Sequence, residues 1–290
     1  MVIKLNKLHF FAIALITLTV TFVMALYAER DSIAVSSEPG VRLPIIMYHH
    51  ISTDNKKCGK YVIALKELEE DLKYIKGKGY KTVTIKDLID YTEGKTELPE
   101  KIVLITFDDG FKSVYKYALP LFEKYEMNAV ASAVGIITEQ YTQNGDNNIN
   151  YSYMTWNELS ELDKSPFFEV QNHSYNLHRN GTNERKGLSR MNGENVDTYR
   201  KVLTEDLTKM QDELLYNSNI NAVCAVYPYG VYSSLTLDII KSLGFRSSLT
   251  CEERINKIYE GDRNCLFNLG RFNRPSGLST KSFMEKAGIN

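Results

Sequence analysis

The residues of this chain that could carry out chemistry are a few histidines and a pair of aspartates. The chain contains five histidines, and four of them lie in two short segments, at His49, His50, His173 and His178. Asp108 and Asp109 are adjacent and follow an apolar stretch. Histidine nitrogens and carboxylate oxygens, with no cysteine nearby, are typical ligands of a divalent metal such as zinc. The pattern therefore predicts a metal-dependent site.

The two aspartates can share one site only if the chain bends beside them. Neighbouring side chains on an ideal strand point to opposite faces, and Gly110 provides the freedom for a bend. An ordinary Asp-Gly turn is the alternative interpretation. The apolar strand predicted at 102–107 and the histidines elsewhere favour the chemical interpretation.

The spacing between His173 and His178 restricts the structure of their segment. Five positions on a regular helix would place them about 140° apart, whereas two metal-binding histidines on a helix prefer a spacing of four. The pair can bind one ion only if the segment is irregular, which its Asn and Ser residues favour. The alternative is one ligand and one surface histidine.

The elements that must position these residues alternate between strands and helices. Apolar runs predict strands at 43–48, 82–85, 102–107, 129–134, 167–171, 222–227, 245–249 and 266–269. Helical spacing predicts helices at 65–75, 88–91, 115–125, 156–162, 202–215 and 235–243. The polar stretches 138–153 and 179–198 predict long surface loops.

Repeated alternation of strands and helices indicates an α/β fold with a parallel sheet. The number of units favours a distorted (β/α)7-type barrel in a single catalytic domain over an open sheet. Four candidate sites each follow a predicted strand, and in barrels the chemistry lies at the carboxyl ends of the strands. These sites are His49, the pair Asp108 and Asp109, His173 and residues 228–230. We therefore expect them to meet on one face.

Composition and charge limit the class of protein. Hydrophobic residues make up 43% of the 290 residues and charged residues 24%, which is typical of a folded domain. The net charge is −1, and no dense block of Lys and Arg follows residue 30. A nucleic acid is therefore not an expected partner.

The N-terminal residues predict export. Lys4 and Lys7 precede a long uncharged apolar run, which predicts a signal peptide or membrane anchor over residues 1–28. A polar linker over 29–41 and a catalytic domain over 42–290 follow. The lysines should stay inside, so we expect the domain on the extracellular side of the membrane or in the cell wall. An uncleaved segment would make the membrane a partner.

The four cysteines are compatible with an exported protein that contains disulfides. Cys251 and Cys265 bracket a short loop and are the best candidates for a pair. Cys224 lies in an apolar run and is predicted to be buried without a partner.

Three segments together resemble a known family. Residues 106–110 (TFDDG), 173–178 (HSYNLH) and 227–230 (YPYG) resemble the first three motifs of the polysaccharide deacetylases, also called the NodB-homology family or carbohydrate esterase family 4. The resemblance extends over roughly residues 43–275.

The resemblance implies a role for each matching residue. The metal ligands, usually of zinc, would be Asp109, His173 and His178. Asp108 would be the general base that activates a water molecule. The backbone N–H of Tyr229, which follows Pro228, would help to hold the oxyanion.

The chain departs from the common family pattern in three ways. The histidines of the second motif are five apart instead of four, Val226 occupies the usual arginine position of the third motif, and no histidine follows His178. A branch of biofilm poly-N-acetylglucosamine deacetylases has the longer spacing and an acid histidine near the N-terminus. By this resemblance His49 is the general acid, with His50 as the alternative. Arg271 follows the last predicted strand and is a candidate to replace the missing arginine as the partner of Asp108, which it would keep ionised. The alternative for Arg271 is an ordinary surface cation.

The resemblance implies a metal-dependent hydrolase that removes N-acetyl groups, by cleaving a carbon–nitrogen amide bond, from an N-acetylglucosamine-containing polysaccharide of the cell wall or cell surface. The alternatives are an acetyl-ester deacetylase, an inactive wall-binding module, and a glycoside hydrolase, for which adjacent carboxylates are poorly suited. Four aromatic residues are candidates for a sugar-binding groove, although packing is favoured for the last: Tyr175, Tyr227, Tyr229 and Trp156.

Overall fold

The computed structural model describes residues 40–181 and 184–290. The predicted signal or anchor segment, 1–28, and nearly all of the predicted linker lie outside the described residues. Within the described part of the chain, no helix is both long and apolar enough to cross a membrane.

Short strands make up a parallel sheet at the centre of the domain. The described strands are β1 (Val41–Leu43), β2 (Ile45–Tyr48), β3 (His50–Ser52), β4 (Val62–Ala64), β5 (Lys81–Thr82), β6 (Ile102–Phe107), β7 (Ala129–Ala133), β8 (Phe168–Asn172), β9 (Cys224–Val226), β10 (Ser247–Leu249), β11 (Asn256–Ile258) and β12 (Phe272–Asn273). The sheet has the order β10-β9-β8-β7-β6-β2-β12, with β5 beside β6. Every pair in it is parallel, so the carboxyl ends of its strands lie at one rim.

One segment links the two edges of this sheet. Leu269 forms a parallel bridge with Leu249 of β10, and three residues later β12 pairs with β2. The sheet is therefore curled toward closure, and the predicted distorted (β/α)7-type barrel is confirmed. Closure matters for function because residues from the first and last strands reach the same rim.

Helices pack on the sheet between the strands. They are α1 (Leu65–Gly77), α2 (Ile85–Thr92), α3 (Leu119–Tyr125), α4 (Gly135–Asn144), α5 (Trp156–Lys164), α6 (Val196–Ser218), α7 (Thr236–Ser242) and α8 (Thr280–Lys286). The helix α1 buries Leu68, Leu72 and Ile75 at helical spacing. Thr84 and Thr155 form capping boxes that begin α2 and α5.

Three of the element predictions were wrong. The strand predicted at 82–85 occupies only Lys81–Thr82, and Ile85 already begins α2. Residues 138–153 were expected to be loop, but α4 extends to Asn144. The amides of its first two residues bond to the carbonyls of Ser174 and Tyr175, so contacts distant in the sequence fix its start. Residues 266–269 do not form a strand, because Asn268 has a φ of +55° and leaves only the single bridge at Leu269.

The predicted disulfide is also wrong, because Cys251 and Cys265 are free thiols. The Cys251 sulfur lies 3.8 Å from the Met47 sulfur. The Cys265 sulfur instead lies 2.9 Å from the carbonyl of Asp262. Cys224 is buried and free, as predicted.

Candidate metal centre and active site

Three side chains converge where a metal ion could be held. Asp109 Oδ1 lies 3.4 Å from His173 Nε2 and 3.1 Å from His178 Nε2. The three potential ligand atoms all lie within 4.8 Å of one another. His173 is buried, whereas Asp109 and His178 are partly exposed. One carboxylate and two imidazoles leave room for water or substrate at a further coordination position.

The end of β6 brings the two aspartates into one site by a bend in the backbone. Asp109 has a φ of +73° and Gly110 a φ of +79°, so the left-handed conformation begins at the aspartate itself. A Cβ at Gly110 would lie 3.1 Å from the Ala133 Cβ. Left-handed backbone at a non-glycine residue costs about 1–3 kcal/mol and is concentrated at functional sites.

The segment between the two histidines is irregular, as their spacing requires. Ser174 has a φ of +69°, which turns the chain directly after His173. Asp206, on α6, accepts hydrogen bonds from the amides of Tyr175 (2.9 Å) and Asn176 (2.8 Å). The single carboxylate of Asp206 therefore fixes the shape of the loop that presents both histidines.

The remaining ring nitrogens of the histidines have their own partners. His173 Nδ1 lies 2.8 Å from the Val226 carbonyl, which requires Nδ1 to carry the proton. While the ring is neutral, Nε2, which faces Asp109, is then the unprotonated nitrogen that a metal needs. Without a metal the ring can take up a second proton at Nε2 and donate it to Asp109. His178 Nδ1 lies 3.3 Å from the Tyr229 hydroxyl. Outer partners of this kind are usual for metal-binding histidines, so the residues present fit a divalent metal.

The charge state of Asp109 also suits a ligand. Burial acts to raise the pKa of this carboxyl. Hydrogen bonds from His173 and His178 outweigh the burial and hold the pKa well below its usual range. Asp109 is therefore a carboxylate at neutral pH.

Asp108 forms a buried, two-pronged ion pair with Arg271. The guanidinium donates to Oδ1 at 2.7 Å and to Oδ2 at 2.8 Å, and Arg271 is fully buried. Arg271 also donates to the Thr250 carbonyl, and Ser132 donates to Asp108 Oδ1. The predicted pairing is thus present, and Arg271 comes from the segment that links the edges of the sheet.

This pair keeps Asp108 ionised. Burial acts to raise the pKa of the carboxyl, but the Arg271 guanidinium and His173 outweigh it, and the net shift is downward. Asp108 Oδ2 accepts from Arg271 alone among the described residues, so a lone pair of this oxygen remains for a substrate or water.

The two neighbouring histidines have different surroundings. His49 follows β2, and its Nδ1 is buried without a hydrogen-bond partner among the described residues. Burial lowers the pKa of His49, while the charges of Asp108 and Asp109 act to raise it. His50 is buried, and its Nδ1 lies 2.9 Å from the Ser113 hydroxyl. Of the two, His49 is the histidine on which the charges of Asp108 and Asp109 act, and its Nδ1 has no hydrogen-bond partner among the described residues.

The third predicted segment forms a tight turn beside the metal ligands. Pro228 is buried, and Tyr229 has a φ of +58° and is 39% exposed. The Tyr229 ring contacts the His178 ring, with 4.5 Å between ring centroids. The turn thus places the Tyr229 side chain against His178.

Most of the aromatic residues predicted for a sugar groove are packed instead. Tyr175, Tyr227 and Trp156 are all buried. Tyr227 donates its hydroxyl to Ser248, and Tyr175 donates its hydroxyl to Glu139. Of the four, Tyr229 alone is exposed. Sequence reasoning also missed Asp206 and Ser132, because neither belongs to a recognisable motif.

The site geometry agrees with a comparison against protein families. The sequence model of the polysaccharide deacetylase family matches residues 95–248, more than half of the chain. This chain belongs to the polysaccharide deacetylase family. The matched region contains Asp108, Asp109 and both metal-site histidines, while His49 and Arg271 lie outside it. The structure nevertheless brings these two residues to the deacetylase site.

Individual polysaccharide deacetylases are similar over most of this chain. A poly-β-1,6-N-acetyl-D-glucosamine N-deacetylase of Escherichia coli K12 is 25% identical over 224 residues, which cover 71% of this chain and 33% of that protein. An enzyme of the same name from Staphylococcus aureus MSSA476 is 26% identical over 203 residues, 70% of this chain and 65% of that protein. This chain thus spans about a third of the E. coli relative.

The solved structure of IcaB from Ammonifex degensii is similar in fold as well as sequence. It superposes with a TM-score of 0.68 at 25% identity, over 87% of this chain and 97% of that one. The barrel-like sheet described above is therefore the deacetylase fold.

Proposed function

We propose that this chain hydrolyses the N-acetyl amide bonds of an N-acetylglucosamine-containing polysaccharide with the help of a divalent metal, most simply zinc. The observation that carries the proposal is the set Asp109, His173 and His178 beside the Asp108–Arg271 pair. The names of the E. coli and S. aureus relatives support poly-N-acetylglucosamine as the polymer.

The metal ligands in this proposal are Asp109, His173 and His178. A bound zinc ion would polarise the acetyl carbonyl and lower the pKa of a water molecule. The Val226 carbonyl orients the His173 ring toward the metal position. The lowered pKa of Asp109 keeps this ligand ionised.

Asp108 acts as the general base in this proposal. Its carboxylate accepts the proton of the attacking water at Oδ2, while Arg271 keeps the group ionised before the reaction and oriented during it. A carboxylate held by a rigid guanidinium fork loses little freedom when it reacts.

His49 acts as the general acid, and the turn at Tyr229 completes the site. His49 donates a proton to the nitrogen of the leaving sugar amine, so that the C–N bond breaks to give acetate and a free amine. The Tyr229 backbone N–H, presented by the turn that Pro228 begins, donates to the developing oxyanion.

Acetate release tests this proposal directly. Purified protein loaded with zinc should release acetate from N-acetylglucosamine oligomers without shortening them, and removal of metal with a chelator should abolish the activity. Zinc added back should restore it. Release from acetylated xylan alone would indicate an ester deacetylase, shortened oligomers would indicate a glycoside hydrolase, and no turnover of any substrate would indicate a binding module.

Loss of the Asp206 carboxylate is expected to weaken metal binding without removing a ligand. In Asp206→Ala the amides of Tyr175 and Asn176 lose their acceptor, and the loop between the two histidines loosens. We expect zinc affinity, measured against a competing chelator, to fall about 10–100-fold. The control is Asp212→Ala, which removes an exposed carboxylate from the same helix. Equal zinc affinities of the two variants would contradict the role of Asp206.

We further propose that the domain acts outside the cell, held there or exported by residues 1–28. The polymer named above is then a surface or cell-wall component, and an uncleaved N-terminus would make the membrane a partner. Fractionation of cells that express the full chain tests this proposal, and recovery in the cytosol would contradict it.

A further inference from the structure

The ring of His49 packs against an aromatic side chain that has no role in the proposed chemistry. The ring centroids of His49 and Tyr61 lie 4.9 Å apart, and the two ring planes are inclined by 63°. Aromatic rings attract each other in such inclined arrangements. Tyr61 is 50% exposed, so its ring lies at the surface of the domain and is not part of the core.

Backbone pairing places the two rings side by side. The strands β3 and β4 are parallel, with His50 opposite Val62, so His49 and Tyr61 directly precede two paired residues. The His50 amide donates to the Tyr61 carbonyl at 3.1 Å. The contact between the rings is therefore built into the register of the two strands.

The C-terminal segment holds the loop that leads to Tyr61. Asn273 of β12 donates from Nδ2 to the Lys60 carbonyl at 2.9 Å. The Ser276 amide donates to the Gly59 carbonyl at 2.9 Å. The backbone directly before Tyr61 is thus anchored at two successive residues, and the ring projects from a fixed position.

The His49 ring has no hydrogen bond at Nδ1 to hold its orientation. A histidine that transfers a proton is usually oriented by a hydrogen bond at its second ring nitrogen. His49 Nδ1 has no such partner among the described residues, whereas His50 Nδ1 lies 2.9 Å from the Ser113 hydroxyl. The contact with Tyr61 can supply the orientation that a hydrogen bond would otherwise give.

We propose that Tyr61 is a positioning residue for the general acid: its ring fixes the orientation of the His49 imidazole and shields one side of it from water. This inference rests on the proposed deacetylase function and adds to it a residue outside the motif segments. A fixed imidazole needs no reorientation before it donates its proton, so loss of the contact lowers kcat and leaves KM unchanged.

Steady-state acetate release tests the effect on catalysis. For zinc-loaded Tyr61→Ala we expect kcat for an N-acetylglucosamine pentamer to fall about 10–100-fold, the loss typical of a misplaced catalytic group, with KM close to the wild-type value. Tyr61→Phe keeps the ring and should retain the wild-type kcat. Tyr216→Ala, which removes an 89% exposed ring from α6, is the control. An unchanged kcat would overturn the proposal, and a rise in KM alone would show a substrate contact instead.

Chemical labelling of His49 keeps the test independent of turnover. Diethyl pyrocarbonate acylates accessible neutral imidazoles, and mass spectrometry of the fragments separates His49 from His50. The rate at His49 should rise severalfold in Tyr61→Ala and stay at the wild-type value in Tyr61→Phe. The buried His50 should react equally slowly in all three proteins, which shows that the fold is intact.

The labelling result separates this inference from the proposed function. Faster labelling of His49 in Tyr61→Ala supports the positioning contact even if no protein releases acetate, a result that would contradict the proposed function alone. Equal labelling rates at His49 in the wild type and in Tyr61→Ala would overturn the role of Tyr61.

Discussion

Replacing His49 with glutamine is expected to lower kcat for acetate release about 10²–10⁴-fold, the usual contribution of a general acid. Glutamine retains a polar side chain but cannot deliver a proton to the leaving amine. Zinc content and the urea midpoint should stay close to the wild-type values, because His49 Nδ1 has no hydrogen-bond partner among the described residues to lose. Steady-state acetate release on the zinc-loaded protein is the measurement.

The matched control is the same change at the adjacent histidine. His50→Gln removes the contact between His50 and Ser113, which should cost about 1 kcal/mol of stability. His50→Gln should leave kcat within a fewfold of the wild type. The groups that act on His50 are Ser113, Asn150 and Lys57, and not the two aspartates. The reverse result, with activity lost in His50→Gln and kept in His49→Gln, would show that the acid is His50.

The sequence was sufficient to predict which residues gather at the site, because strand ends in a barrel meet at one rim. Asp108 and Asp109 follow one run of apolar residues and His173 follows another, and parallel pairing brings those ends together. His178 was assigned through its spacing from His173 and the family resemblance. For Arg271 the sequence left two interpretations, a partner of Asp108 and an ordinary surface cation, and the burial of the guanidinium beside Asp108 decides for the first.

The conformations that make the site work were not predictable from the sequence. The left-handed backbone occurs at Asp109, Ser174 and Tyr229 themselves, where side chains make it unfavourable and only the folded surroundings enforce it. The loop held by Asp206 has the same origin, because a carboxylate 28 residues after His178 carries no local signal. Sequence reasoning likewise assigned the groove to aromatic residues that the core requires.

A second buried ion pair, remote from the metal ligands, supports the strand that carries His49. Asp71 on α1 is fully buried and accepts from Arg274 Nε at 2.8 Å and Nη2 at 3.1 Å. Asp71 also accepts from the Tyr48 hydroxyl at 3.0 Å. The Arg274 amide donates to the Met47 carbonyl. The pair thus joins α1, the end of β2 and the C-terminal segment.

Removing the carboxylate is expected to cost far more than removing an exposed charge on the same helix. In Asp71→Leu, the Arg274 guanidinium stays buried without its partner, so the free energy of unfolding in urea should fall by about 3–5 kcal/mol. Glu70→Gln breaks the exposed pair with Lys66 and should change the free energy of unfolding by less than about 0.5 kcal/mol. Adding Arg274→Met to Asp71→Leu removes the unpaired charge and should recover part of the loss. A double variant no more stable than Asp71→Leu would show that packing around Asp71, and not the buried charge, dominates.

The same variants should also affect activity. The Tyr48 hydroxyl loses its acceptor in both Asp71→Leu and the double variant. Because Tyr48 directly precedes His49, kcat should stay below the wild-type value even where stability recovers.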